Sequence, residues 1–81
     1  MNRFTKKLAV GNETREFVFT RMENTNGVKF FITSTDANRK PISLSLRQQD
    51  YAIWKLVPGS LRWLYDIEQD LSDAIVETRV D

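Results

Sequence analysis

The sequence predicts a two-layer α+β domain: a curved, four-stranded antiparallel meander built first, and a helix laid on one of its faces last. Three observations carry that expectation. Apolar residues alternate with period two through most of residues 1–46. Clusters of Gly, Asn and Pro interrupt them at short intervals. After Pro58-Gly59 the apolar spacing changes to three and four residues.

The first strand is expected over Arg3–Val10, with Phe4, Lys6, Leu8 and Val10 on one face and Lys7 on the other. Gly11-Asn12 is a turn pair. The second strand, Thr14–Met22, sets Phe17 and Phe19 against Val18. Asn24-Thr25-Asn26-Gly27 ends it with residue types that accept the positive φ of a tight hairpin. The third, Val28–Thr35, sets Phe30 and Ile32 against Lys29, Phe31 and Thr33. After the loop Asp36–Pro41, the fourth strand, Pro41–Leu46, turns Ile42, Leu44 and Leu46 inward and Ser43 and Ser45 outward. Short connections between consecutive strands imply antiparallel neighbours.

From Arg47 to Val57 the pattern suggests a short helix or helical turn, stopped by Pro58-Gly59. Ser60 is a suitable N-cap for a longer helix over Leu61–Thr78. Leu64, Ile67, Leu71, Ala74 and Thr78 make its apolar stripe, widened by Leu61 and Ile75. Asp66, Glu68, Asp70, Asp73 and Glu77 lie mostly off the stripe and give the helix an acidic back. Trp54, Trp63, Tyr51 and Tyr65 are expected as packing anchors.

Eighty-one residues make one domain, 1–81, with a thin core. Cysteine and histidine are both absent, which excludes a disulfide and argues against a zinc site. A second copy of the chain is then the expected source of extra stability, as a homodimer. A hydrophobic content of 41% with 28% charged residues is that of an ordinary soluble protein. No apolar run approaches the roughly 20 residues of a membrane span, and the opening residues do not lead into a secretory signal. A cytoplasmic location is expected. Net charge is +1, but residues 1–55 carry ten Lys/Arg against five Asp/Glu, and residues 56–81 carry two against six. The split is +5 and −4, and it points to a polyanion-facing surface on the sheet half.

Without cysteine or histidine, Ser/His/Asp and Cys/His arrangements cannot be built. The carboxylate pairs Asp66/Asp70 and Asp70/Asp73 read as a solvated helix back. Three glycines form no phosphate-binding loop. No enzyme activity, metal, cofactor or small-molecule substrate is therefore expected. Single-stranded nucleic acid needs cations for its phosphates and aromatic faces for its bases. Lys29, Phe31 and Thr33 share the face opposite Phe30 and Ile32, and Ser43, Ser45 and Arg47 continue it on the fourth strand. Lys7 joins from the first strand, and Arg39 and Lys40 from the loop. Lys6, Arg15 and Arg21 add further charge. The competing reading has Phe31 filling a dimer interface or a second small core, since consecutive Phe30-Phe31 also fits a strand buried on both sides.

Phe4-Thr5-Lys6-Lys7-Leu8, Arg15-Glu16-Phe17-Val18-Phe19 and Gly27-Val28-Lys29-Phe30-Phe31-Ile32-Thr33 resemble the first three strands of a bacterial PUR domain. Arg39-Lys40-Pro41-Ile42-Ser43-Leu44-Ser45-Leu46 is similar to its fourth strand, and equally to that of coactivators of the positive-cofactor-four type. With the Whirly proteins, these families share a β-β-β-β-α unit, form dimers or pseudo-dimers, and bind single-stranded DNA or RNA on the curved sheet. The resemblance covers about residues 3–47. It implies sheet-face contacts at Lys7, Lys29, Phe31, Thr33, Ser43 and Arg47. The families pass from the fourth strand almost directly into one helix, whereas here Pro58-Gly59 divides that region. The resulting expectation is a homodimeric, non-enzymatic single-strand binder of low sequence specificity, contacting its ligand through Lys7, Lys29, Phe31, Thr33, Arg39, Lys40, Ser43 and Arg47. The alternative is a protein-interaction module that uses exposed strand edges or the acidic helix.

Overall fold

Period-two alternation becomes a single curled antiparallel sheet in a computed structural model, which describes residues 3–25, 27–36, 38–50 and 53–78, without the side chain at position 50. Tyr51 lies outside the described residues. The strands are β1 (Arg3–Val10), β2 (Glu13–Asn24), β3 (Gly27–Thr35), β4 (Pro41–Asp50) and β5 (Ile53–Leu56), lying side by side in chain order. A 3-10 helix, Arg62–Ile67, leads into α1, Glu68–Thr78. No helix among the described residues is long and apolar enough to cross a membrane.

The turns follow from their residues. Val10 pairs with Glu13 across Gly11-Asn12, and Gly11 has φ 61° while Asn12 does not enter the positive region. That is the type II′ geometry, which needs glycine at its first central position. Between Val57 and Ser60, Pro58 and Gly59 (φ 91°) occupy the central places of a type II turn. Ser60 Oγ closes it by donating to Val57 O at 2.6 Å.

The sheet has five strands, not four. Residues 53–56 alternate exposed, buried, exposed, buried, and they pair with β4 rather than forming a helical turn. Tertiary pairing overrides local propensity here, because a strand delivers both Trp54 and Leu56 to the core. Leu56 and Trp54 pair in regular register with Leu46 and Gln48, and a register shift follows between Gln48 and Asp50 at the end of the ladder. β4 accordingly continues past Leu46 to Asp50.

The C-terminal region also departs from a single helix with Ser60 as its cap. Leu61 occupies the N-cap position of the 3-10 helix and provides no side-chain cap. Leu64 and Ile67 are both buried and three residues apart. A 3-10 turn repeats every three residues and stacks them on one side. After Ile67 the buried positions are Leu71, Ser72, Ala74 and Ile75, the spacing of an α-helix. Leu61 stands 48% exposed and Tyr65 44%, so neither is the packing residue its spacing suggests. Trp54 is a core anchor, and half-buried Trp63 lies beneath the Arg15 guanidinium at 5.3 Å.

The core lies between the even-numbered face of β3, β4 and β5, the Phe17/Phe19 face of β2, and the helical layer. Phe4 stacks on Phe19 at 4.5 Å and meets Phe30 edge-on at 6.0 Å, and Phe30 meets Trp54 edge-on at 5.0 Å. Such ring pairs add about 0.5–1.5 kcal/mol each beyond the area they bury. Trp54 Nε1 is buried with no acceptor among the described residues, which costs about 1–3 kcal/mol against that packing.

α1 also seals an edge of the sheet. The outward N–H groups of β5 go to the helix: Trp54 N donates to Ser72 Oγ at 3.0 Å, and Leu56 N to Glu68 Oε2 at 2.8 Å. Glu68 and Ser72 are one helical turn apart and match alternate residues of the strand. Ser72→Ala should leave the buried Trp54 N–H without its acceptor and lower unfolding free energy by about 1–3 kcal/mol in urea titration. Glu68→Gln, which keeps an acceptor, should cost less than Glu68→Ala.

Candidate nucleic-acid interface

Because one helical layer covers one face, every second residue of the sheet points the other way. Register fixes which ones are neighbours. Thr5, Val18, Thr33 and Ser43 lie in one row across β1 to β4 on this open face. Arg3, Thr20, Phe31 and Ser45 form the adjacent row. Met22, Lys29, Arg47 and Lys55 form the next, across β2 to β5. The surface is thus rich in hydroxyls, with the half-buried Phe31 and Val18 as its apolar centre and a line of cations along one side.

Phe31 is flanked by Thr20 and Ser45, while Phe30 and Ile32 on either side of it in sequence are buried in the core. Its ring is therefore on the face opposite α1. Lys29, Phe31, Thr33, Ser43 and Arg47 come together as one contiguous patch. Lys7, Arg39 and Lys40 do not join it. Lys7 is on the open face but stands directly opposite Glu16, four residues along β1 from the Phe31 row. That is about 13 Å along the strand. Arg39 and Lys40 sit in the β3–β4 loop at that same far end.

That loop is held by Asp36, whose Oδ1 accepts from Asn38 N at 2.8 Å and from Lys40 N at 2.9 Å. Backbone bonds from Arg39 N to Asp36 O and from Asp36 N to Lys40 O close it. Arg39 adopts φ 63°, a left-handed conformation uncommon for a residue with a side chain.

Lys6, Arg15 and Arg21 belong to the helix-side face and are each paired with a carboxylate. Lys6 Nζ is 3.4 Å from Glu77, Arg15 is 2.9 Å from Glu13, and Arg21 pairs with Glu23. They add no charge to the open face. The open face carries Arg3, Lys7, Lys29, Arg47 and Lys55 against Glu16 among the described side chains. Of these cations only Lys55 forms an ion pair with a described residue, reaching Glu68 at 3.5 Å around the β5 edge. Charge is therefore sorted by face: the cations beside the helix are paired, and those opposite it outnumber their carboxylates.

Lys55 and Arg3 are the contributors that sequence reasoning missed. Lys55 was hidden by the helical expectation for residues 47–57, although Ile53 and Lys55 alternate with Trp54 and Leu56. Thr20 and Met22 escaped notice because only register with β3 shows that they border Phe31 and Lys29. On the far side of the molecule Asp66, Asp70 and Asp73 are exposed on the helical layer. No group of three acidic side chains suited to a metal ion occurs among the described residues. An open cleft of about 480 Å³ lies at the end of the cation row, lined by Gly27, Arg47, Gln49 and Lys55 among others. No protein-family model matches the chain, and no curated protein or solved structure matches it.

Proposed function

We propose that this protein binds single-stranded DNA or RNA on the open face of its sheet, with low sequence specificity and without catalysing a reaction. The observation that carries the reading is the position of Phe31. It is an aromatic ring on the uncovered face, bordered by hydroxyls, one row from three cations in direct register. Stacking on such a ring accepts any base, because every base has a π-face. The PUR-like and coactivator-like strand motifs favour the same ligand. A homodimer belongs to the proposal: α1 occupies the outer edge of β5, so β1 supplies the other edge of the sheet for a second copy.

Charge sorting also favours a second reading, an interaction module in which the acidic helical layer meets a basic partner. Capture from lysate with and without nuclease separates the two. Partners that survive nuclease and require Asp66, Asp70 and Asp73 favour the module.

The nucleic-acid reading predicts that a labelled oligo-dT gains anisotropy on titration, with affinity falling steeply between about 50 and 200 mM salt. Phe31→Ala should weaken binding by about 5- to 150-fold, the equivalent of about 1–3 kcal/mol for one stacked base. The variant should remain folded, since the ring is outside the core; a melted domain would place it in the core and remove the stacking surface. Light scattering should give twice the chain mass, and a monomer mass with and without oligo-dT would remove the dimer from the proposal.

A further inference from the structure

We infer that the nucleic-acid chain crosses the strands at one end of the sheet, its phosphates seated on the row Lys29–Arg47–Lys55, and does not run along the strands toward Lys7, Arg39 and Lys40. This rests on the nucleic-acid reading of the open face and specifies its path.

Lys29 pairs directly with Arg47, and Arg47 with Lys55. All three side chains leave the same face of neighbouring strands. Directly opposed residues have Cβ atoms about 5 Å apart, and like charges placed so destabilise a sheet. Neither Lys29 nor Arg47 has a carboxylate partner among the described residues, and Glu68 meets the row only at Lys55, from the helix side. Among the described residues the fold gains no ion pair from Lys29 or Arg47. An anion laid across them turns mutual repulsion into shared attraction. The open cleft of about 480 Å³ beside Arg47 and Lys55 leaves space for the bound group, within the range of small-ligand sites.

The opposite end is poorer ground for a phosphate. Lys7 faces Glu16 in register, and the Asp36 carboxylate stands within the loop that presents Arg39 and Lys40. Three cations there meet two carboxylates, leaving +1. Among the described side chains, the three cations in the row meet one carboxylate, Glu68, leaving +2. Phe31 is two residues from Lys29, about 7 Å along β3. A base stacked on the ring can therefore have its own phosphate on the row. From Lys29 to Thr35, at the far end of β3, is about 20 Å, so one short segment cannot lie over Phe31 and both cation groups equally.

The test compares two charge-matched double variants of the full chain, Lys29→Gln with Arg47→Gln and Lys7→Gln with Lys40→Gln, each keeping most of the side-chain stem. Binding to labelled oligo-dT is followed by anisotropy across a salt series. The Lys29/Arg47 variant should lose at least about tenfold in affinity at low salt. It should also flatten the slope of log affinity against log salt by about 1.4, two phosphate contacts at about 0.7 each. The Lys7/Lys40 variant should change the slope by less than one such contact. Equal losses in the two variants, or a larger loss in the second, overturn the path while leaving the nucleic-acid reading standing. A wild-type chain that binds no oligonucleotide overturns the reading itself, and the path with it.

Thermal melting supplies the folding control. Relief of repulsion predicts that the Lys29/Arg47 variant melts no lower than wild type without ligand, and that inorganic phosphate raises the melting temperature of wild type but not of this variant. An unliganded variant that melts well below wild type makes the row structural and overturns the assignment.

Discussion

α1 has eleven residues, about 16 Å of helix at 1.5 Å per residue. Five strands at about 4.8 Å spacing span about 19 Å. One helix and its 3-10 lead-in can therefore roof one face of this sheet and have nothing left for the other. That shortage organises the molecule. Every strand must commit one side of its alternation to the roofed face, and the other side takes whatever chemistry tolerates water.

The roofed face is apolar at its centre and electrically quiet at its margins. Phe17, Phe19, Ile32, Leu46, Leu71 and Ile75 are fully enclosed, and Lys6, Arg15 and Arg21 around them have carboxylate partners. The pairs of Lys6 and Arg21, exposed on both partners, contribute little stability each. Their larger effect is on the field, because cancelling charge on one side leaves the uncancelled cations of the other to set its sign. With Asp66, Asp70 and Asp73 outside the helical layer, the two outer surfaces of the molecule differ in charge. An approaching polyanion meets attraction on one side and repulsion on the other, so orientation begins before contact.

Edges are managed as asymmetrically as faces. An exposed edge strand presents unpaired backbone groups to other chains. At β5, Ser72 and Glu68 take up the N–H groups of Trp54 and Leu56, so the helix that roofs the sheet also terminates it. Glu68 shows how closely stability and surface charge are tied. The same carboxylate accepts a backbone hydrogen bond through one oxygen and holds Lys55 through the other. At β1, Lys6 and Lys7 lie in mid-strand, where charged residues narrow the choice of chain that can pair there.

The first three hairpin-linked strands and the face on which Phe31 emerges were legible in the sequence, because alternation is local. Once Phe30 and Ile32 are committed to the core, Phe31 has only one direction left. Gly11, Gly27 and Pro58-Gly59 likewise mark their turns through backbone preferences that each residue carries with it. What the sequence could not supply is anything that depends on a distant partner. β5 is a strand because β4 and α1 bracket it, not because residues 53–56 prefer to be one. Glu68 and Ser72 became edge caps, rather than ordinary positions on an acidic helix, only when α1 settled beside that strand. The row Lys29–Arg47–Lys55 unites residues from three strands, and the separation of Lys7, Arg39 and Lys40 from it is likewise a matter of register. Hydrogen-bonded register is a property of pairs of strands, and one chain read in order contains each strand but not the pairing.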